Sequence, residues 1–275
     1  MGCNRIGHSA AIGHFSALYA RLAIVPLTTL SPAPKIDILL PAKERFSPSN
    51  AGAISGVVRD LVQASRAANQ YRILGTAVAN PSMPECFTGL LPKKRWFRGH
   101  NIGLAAAYLE LIGTTGAPDL VEVHSRCQVA RYLATKKPAL KICLYLHNDP
   151  RQMKAGRSVA ERRYLLQNMA GIICVSDYIR NCFLDEMDEY SDLASKVGVA
   201  RNGAYRWLKK PPVKENFILL AGRMVPEKGI LECATAIARV LPHHPGWDLI
   251  IAGARRFEDS IPGSYEDQIA KIIAP

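Results

Sequence analysis

The chain alternates. Apolar runs of strand length give way to longer stretches with helical periodicity, and the pattern holds from Lys35 almost to the C-terminus. IDILLP (36–41), YRILGTAV (71–78), DLVEVH (119–124), LKICLYLH (140–147), GIICVS (171–176) and KVGVA (196–200) read as strands. Helices are expected over 53–69, 101–113, 127–135, 157–169 and 177–187. Strands that are apolar throughout, separated by helices, imply a parallel sheet covered on both faces. The doubly wound α/β class follows.

One segment breaks the rhythm. RNGAYRWLKKPPVKEN (201–216) has an Asn-Gly turn and a Pro-Pro pair, so it reads as a linker. The pattern then restarts with FILLAG, a helix over 229–241, the strand WDLIIAG (247–253) and a helix over 265–273. The expected organisation is an N-terminal extension over 1–34, a Rossmann-like domain over 35–205, a linker over 206–216 and a partial second domain over 217–275. The last part is short for an independent α/β domain, typically about 100–150 residues.

Composition is that of an ordinary soluble protein except in its charge, which is +12. A basic balance implies an anionic partner or a generally basic surface. KKRWFRGH (93–100) interleaves cations and aromatics, and Arg151, Lys154, Arg157, Arg162 and Arg163 follow downstream. No nucleic-acid module signature accompanies them, so nucleic acid is not an expected partner; anionic lipid suits the pattern better. The seven cysteines show no CxxC pair and no zinc-site spacing, so neither a disulfide nor a metal is expected. Cys143, Cys174 and Cys233 sit in apolar runs and read as small buried hydrophobes of a reducing, cytoplasmic compartment. Ala10–Leu30 is too interrupted by His14, Arg21 and Pro26 to span a bilayer convincingly.

The segment AGRMVPEKGI (221–230) poses a chemical question. Arg223 falls just beyond a strand, where open α/β sheets bind ligands. Lys228 is expected in the first turn of the next helix. A cation there opposes the helix dipole by about 0.3–1 kcal/mol. A bound anion would reverse that sign, meeting backbone N–H groups, Lys228 and the Arg223 fork together. Gly222 and Gly229 would let the backbone approach closely. The alternative is a solvated Lys228 beside Glu227.

AGRMVPEKGILECATAIARVLPHHPGWDLIIAG (221–253) resembles the donor-site segment of family-4 glycosyltransferases, which have the two-domain GT-B fold. The resemblance extends over roughly 35–253. It implies that Gly222, Arg223 and Lys228 bind the diphosphate of a nucleotide-sugar donor, with no cofactor or metal. By the same resemblance, His147 in CLYLHNDP lies near the transferred sugar as the catalytic candidate. Gly52, Arg126, Asn148 and Asp149 would line the acceptor side of the cleft. Ser49 or Asn50 could cap the helix after Gly52, and Ser176 the helix after GIICVS. The implied reaction is retaining sugar transfer to a glycan or lipid-linked acceptor in polysaccharide or lipopolysaccharide biosynthesis, in the cytoplasm or at the inner membrane face. The family's pair of glutamates eight positions apart has no counterpart in context, so a fragment without activity, binding glycan or membrane, is the alternative expectation.

Overall fold

The computed structural model describes residues 34–49, 51–93, 99–204, 208–253 and 263–273. Expectations about the N-terminal extension, the Asn50 cap and the centre of KKRWFRGH lie outside the described residues. The unit from Lys35 to Pro275 holds two sheets.

The first sheet has seven strands: β1 (Ile36–Leu39), β2 (Tyr71–Thr76), β3 (Phe87–Leu90), β4 (Leu120–His124), β5 (Ile142–Leu146), β6 (Gly171–Cys174) and β7 (Val197–Val199). All are parallel, in the spatial order β3-β2-β1-β4-β5-β6-β7. Five helices connect them: α1 (Ala53–Ala64), α2 (Gly99–Thr115), α3 (Cys127–Lys136), α4 (Val159–Asn168) and α5 (Asp177–Leu184). The order reverses between β1 and β4, and open α/β sheets bind ligands beyond the strand ends at such a switch point.

Burial explains the strand composition. Every residue of β5 is buried, because it lies inside the sheet with apolar layers on both faces. Leu39, Val121, Val123, Ile142, Leu144 and Leu146 face the core shared with α2, α3, α4 and α5. Ile38, Leu40 and Ile73 face the opposite layer, where Ile54, Val58 and Val62 form one stripe of α1. Each such side chain contributes about 1.5–3 kcal/mol on full burial.

Helix starts are locally encoded. Ser176 caps α5 by accepting from the Ile179 amide. Ser158 and Glu161 form a reciprocal capping box on α4, which satisfies two otherwise orphaned amides. Ser49 does not cap α1; Gly52 is the N-cap residue and makes no side-chain bond.

The sequence reading misses β3. Its four residues, FTGL, carry too little apolar pattern to announce a strand, and it lies at the sheet edge beyond a proline-rich loop.

The second sheet pairs β8 (Phe217–Ala221) with β9 (Asp248–Ala252) in parallel. α6 (Ile230–Val240) connects them, and α7 (Ser264–Ile273) packs on α6. Both strands alternate between exposed and half-buried positions. Cys233 is exposed rather than buried: Ile230 and Ala234 take the inner face of α6, and 233 falls off that stripe. Cys143 and Cys174 are buried as expected.

Candidate functional site

The first candidate site is built from side chains at the neighbouring ends of three strands, β1, β4 and β5. After β1 the chain runs through Glu44 to Gly52. The Glu44 carboxylate lies over the N-terminus of α1, where Oε2 accepts from the Ser55 amide and hydroxyl at 3.3 Å each. A Cβ on Gly52 would stand 1.9 Å from that oxygen, so glycine leaves the space the carboxylate fills. A negative charge there is favoured by the helix dipole. Glu44 went unnoticed in the sequence because nothing local links it to a helix start eight residues later.

At the end of β4, Glu122 and His124 point to the same face, two residues apart. Glu122 is 8% exposed and His124 fully buried. Ser125 follows with φ of 52°, a left-handed conformation that costs a non-glycine residue about 1–3 kcal/mol. It turns the chain sharply into α3. Its side chain is buried, and its hydroxyl has no hydrogen-bond partner among the described residues. Arg126 is the N-cap residue of α3, and its guanidinium donates to the Ser125 carbonyl at 2.7 Å.

At the end of β5, His147 meets His124. The parallel register sets His124 beside Tyr145, and His147 is two residues further along the same face. His124 Nδ1 and His147 Nε2 are 3.0 Å apart. The three rings form a stack: His124 on Tyr145 at 4.8 Å, and Tyr145 on His147 at 5.0 Å between centroids. Burial, with the neighbouring His124, holds the His147 pKa down to about 3, so the ring is neutral at physiological pH. Asn148 is exposed. Asp149 turns elsewhere: it caps the short turn after it and pairs with Arg151 at 2.8 Å. That guanidinium holds the Asp149 carboxyl below its usual range.

Part of the basic cluster read as suiting anionic lipid is engaged within the protein. Arg151 also pairs with Asp185, and Arg163 with Glu189. Arg162 is 2% exposed and donates to the carbonyls of Phe183, Arg157 and Asp185. It ties α4 to the end of α5. Arg151, Lys154 and Arg157 share no helix, because α4 begins only at Val159.

The second sheet presents the other candidate site. β8 ends at Ala221, and Gly222 donates to the Ala252 carbonyl at 3.0 Å. Arg223 follows. Lys228 ends a short 3-10 turn, Pro226–Lys228; it precedes α6 and does not belong to its first turn. Gly229 is the N-cap residue of α6 with φ of 64°, a conformation glycine adopts at little cost. Arg223 and Lys228 are exposed, and neither has an ion-pair partner among the described residues. The first turn of α6 also receives Tyr265, whose hydroxyl accepts from the Leu231 amide at 3.1 Å.

Seven parallel strands followed by a second β-α-β unit make this an α/β protein of the GT-B type. Solved structures with the same fold include Anabaena Alr3699/HepE in complex with UDP-glucose, at a TM-score of 0.58 and 14% identity, covering 88% of this chain and 65% of that one. A UDP-forming α,α-trehalose-phosphate synthase from Burkholderia xenovorans matches at a TM-score of 0.52 and 16% identity, covering 87% and 68%. At such identities the likeness is one of fold.

In sequence, the chain is similar to YtcC of Bacillus subtilis (strain 168), a protein assigned to the glycosyltransferases, with 26% identity over 230 residues. That alignment covers 75% of this chain and 54% of YtcC, so the chain spans about half the length of this relative. No protein-family model matches the sequence. Among the described residues, no helix is long and apolar enough to cross a membrane.

Proposed function

We propose that this chain carries a glycosyltransferase site that moves a sugar, with retention, from a nucleotide-diphosphate donor to a glycan or lipid-linked acceptor. Residues 35–205 form the acceptor-side domain and 217–275 the donor-side portion, joined by the linker 206–216. The observation that supports this most directly is the turn between β8 and α6, where Arg223 and Lys228 flank the approach to a helix N-terminus. A diphosphate there would meet a bidentate guanidinium, an ammonium and backbone amides. As the bond from sugar to phosphate breaks, negative charge grows on the leaving diphosphate, and fixed cations stabilise that charge in the transition state. His147, neutral at the end of β5, would hydrogen-bond the transferred sugar. Similarity to YtcC and the fold shared with UDP-sugar enzymes agree with this reading.

The test is donor-dependent transfer by the purified chain, scored with UDP-sugars and other nucleotide sugars, against Arg223→Ala and Lys228→Ala. The expected result is turnover in the parent and strong loss in both variants. Equal turnover in all three would reject the roles given to the cations.

A further inference from the structure

The buried His124 and the half-buried His147 carry a directional consequence. Between two ring nitrogens 3.0 Å apart, one must donate and the other accept, and a ring with a single proton leaves its second nitrogen bare. If His124 donated from Nδ1, its Nε2 would carry a bare lone pair. That atom is buried, has no hydrogen bond among the described residues, and lies 3.6 Å from Glu122 Oε2. Two acceptors would then face each other out of water, which is costly. The reverse order removes the conflict. A proton on His124 Nε2 points at the Glu122 carboxylate, His124 Nδ1 accepts, and His147 Nε2–H donates to it. At 3.6 Å the contact with Glu122 is longer than an N–H···O bond, whose usual range is about 2.7–3.2 Å, so it acts as a charge–dipole contact that orients the ring.

We infer that Glu122 and His124 are positioning residues that lock His147 as its Nε2–H tautomer, leaving the Nδ1 lone pair as an acceptor for a hydroxyl of the bound sugar. The inference rests on the sugar-facing role proposed for His147. Stacking on Tyr145 fixes the ring plane, and the chain Glu122–His124–His147 fixes which nitrogen carries the proton. His147 then selects a ligand that donates at this point. A sugar lacking that hydroxyl, or carrying an ether there, leaves this acceptor without its partner; sites built to bond a hydroxyl discriminate by up to about 10⁴–10⁵ against analogues that lack it.

The test uses the whole chain with ¹⁵N-labelled histidine and long-range ¹H–¹⁵N correlation spectra at neutral pH, assigned by His124→Gln and His147→Gln. The expected spectrum has His147 protonated at Nε2 and bare at Nδ1, and His124 likewise. In Glu122→Gln the carboxamide can either accept or donate, so the enforced order should relax and a His147 Nδ1–H population should appear. Glu122→Leu, which retains no acceptor, gives a second reading should the first variant fold poorly; there the Nε2–H preference of His147 should be lost. Protonation at His147 Nδ1 in the parent, a doubly protonated His124, or spectra unmoved by both Glu122 variants would overturn the inference. The readout does not depend on turnover. The expected tautomers in a chain that transfers no sugar would sustain the positioning chain and count against the proposed function instead.

Discussion

Gly253 lies against Gly222 so closely that a Cβ on Gly253 would stand 1.8 Å from the Gly222 carbonyl oxygen. Gly222 in turn donates to the carbonyl of Ala252. The ends of β8 and β9 are thereby held together at the residue before Arg223. Replacing Gly253 by alanine must push one backbone away. Overpacking of this kind costs about 1–3 kcal/mol. Urea titration of Gly253→Ala should show a lowered midpoint, together with weaker nucleotide binding; an unchanged midpoint would mean that the contact is loose in solution.

Removing Arg223 or Lys228 should affect binding and leave folding alone. Both are exposed, and surface substitutions usually fall within about ±0.5 kcal/mol. Hydrogen bonds to charged groups contribute about 1.5–3 kcal/mol, so each alanine variant should bind UDP about 10–150-fold more weakly. Calorimetry with UDP and thermal melts of the same samples would separate the two effects.

Stability should depend on pH through His147. Its folded pKa is held at about 3, against an ordinary value of 6.5. Between these values the unfolded chain binds a proton that the folded one refuses. The contribution is therefore fully present above pH 6.5 and is lost as pH falls towards 3, at no more than about 1.4 kcal/mol per pH unit. Denaturant midpoints measured from pH 7 to 4 should fall less steeply in His147→Gln than in the parent.

Asp37, 2% exposed in β1, is held by a bidentate Arg72 at 2.7 and 2.9 Å and by the Tyr108 hydroxyl at 2.9 Å. Burial, and next the Asp37 charge, push the Tyr108 pKa up, which keeps the phenol a donor. Removing one partner from a buried charge costs about 3–5 kcal/mol. Arg72→Met should approach that range in guanidinium unfolding, whereas Tyr108→Phe, losing one bond, should cost about 1–3 kcal/mol. Similar losses for the two variants would contradict this ranking.

Residues close in sequence announced most of the architecture. Among the described residues, apolar runs located every strand but β3: those of the first sheet because strands buried on both faces must be apolar throughout, and β8 and β9 although they alternate between exposed and half-buried positions. Ser176 announced a helix start, because a cap acts on amides two and three residues away. The sequence reading also singled out Gly52 and Arg126, and the structure puts a Glu44 carboxylate against one and Ser125 against the other.

By itself, then, the sequence determined the α/β alternation, the break before β8 and the cations at 223 and 228, since each follows from spacing within about ten residues. Only the tertiary structure decided that His124 meets His147 across 23 positions, that Asp37 is claimed by Arg72 and Tyr108, and that Arg162 is buried. Those contacts depend on strand register and on which helix covers which face. Hydrophobic patterning says that a strand is buried, but not which strand lies beside it or which ring its neighbour presents.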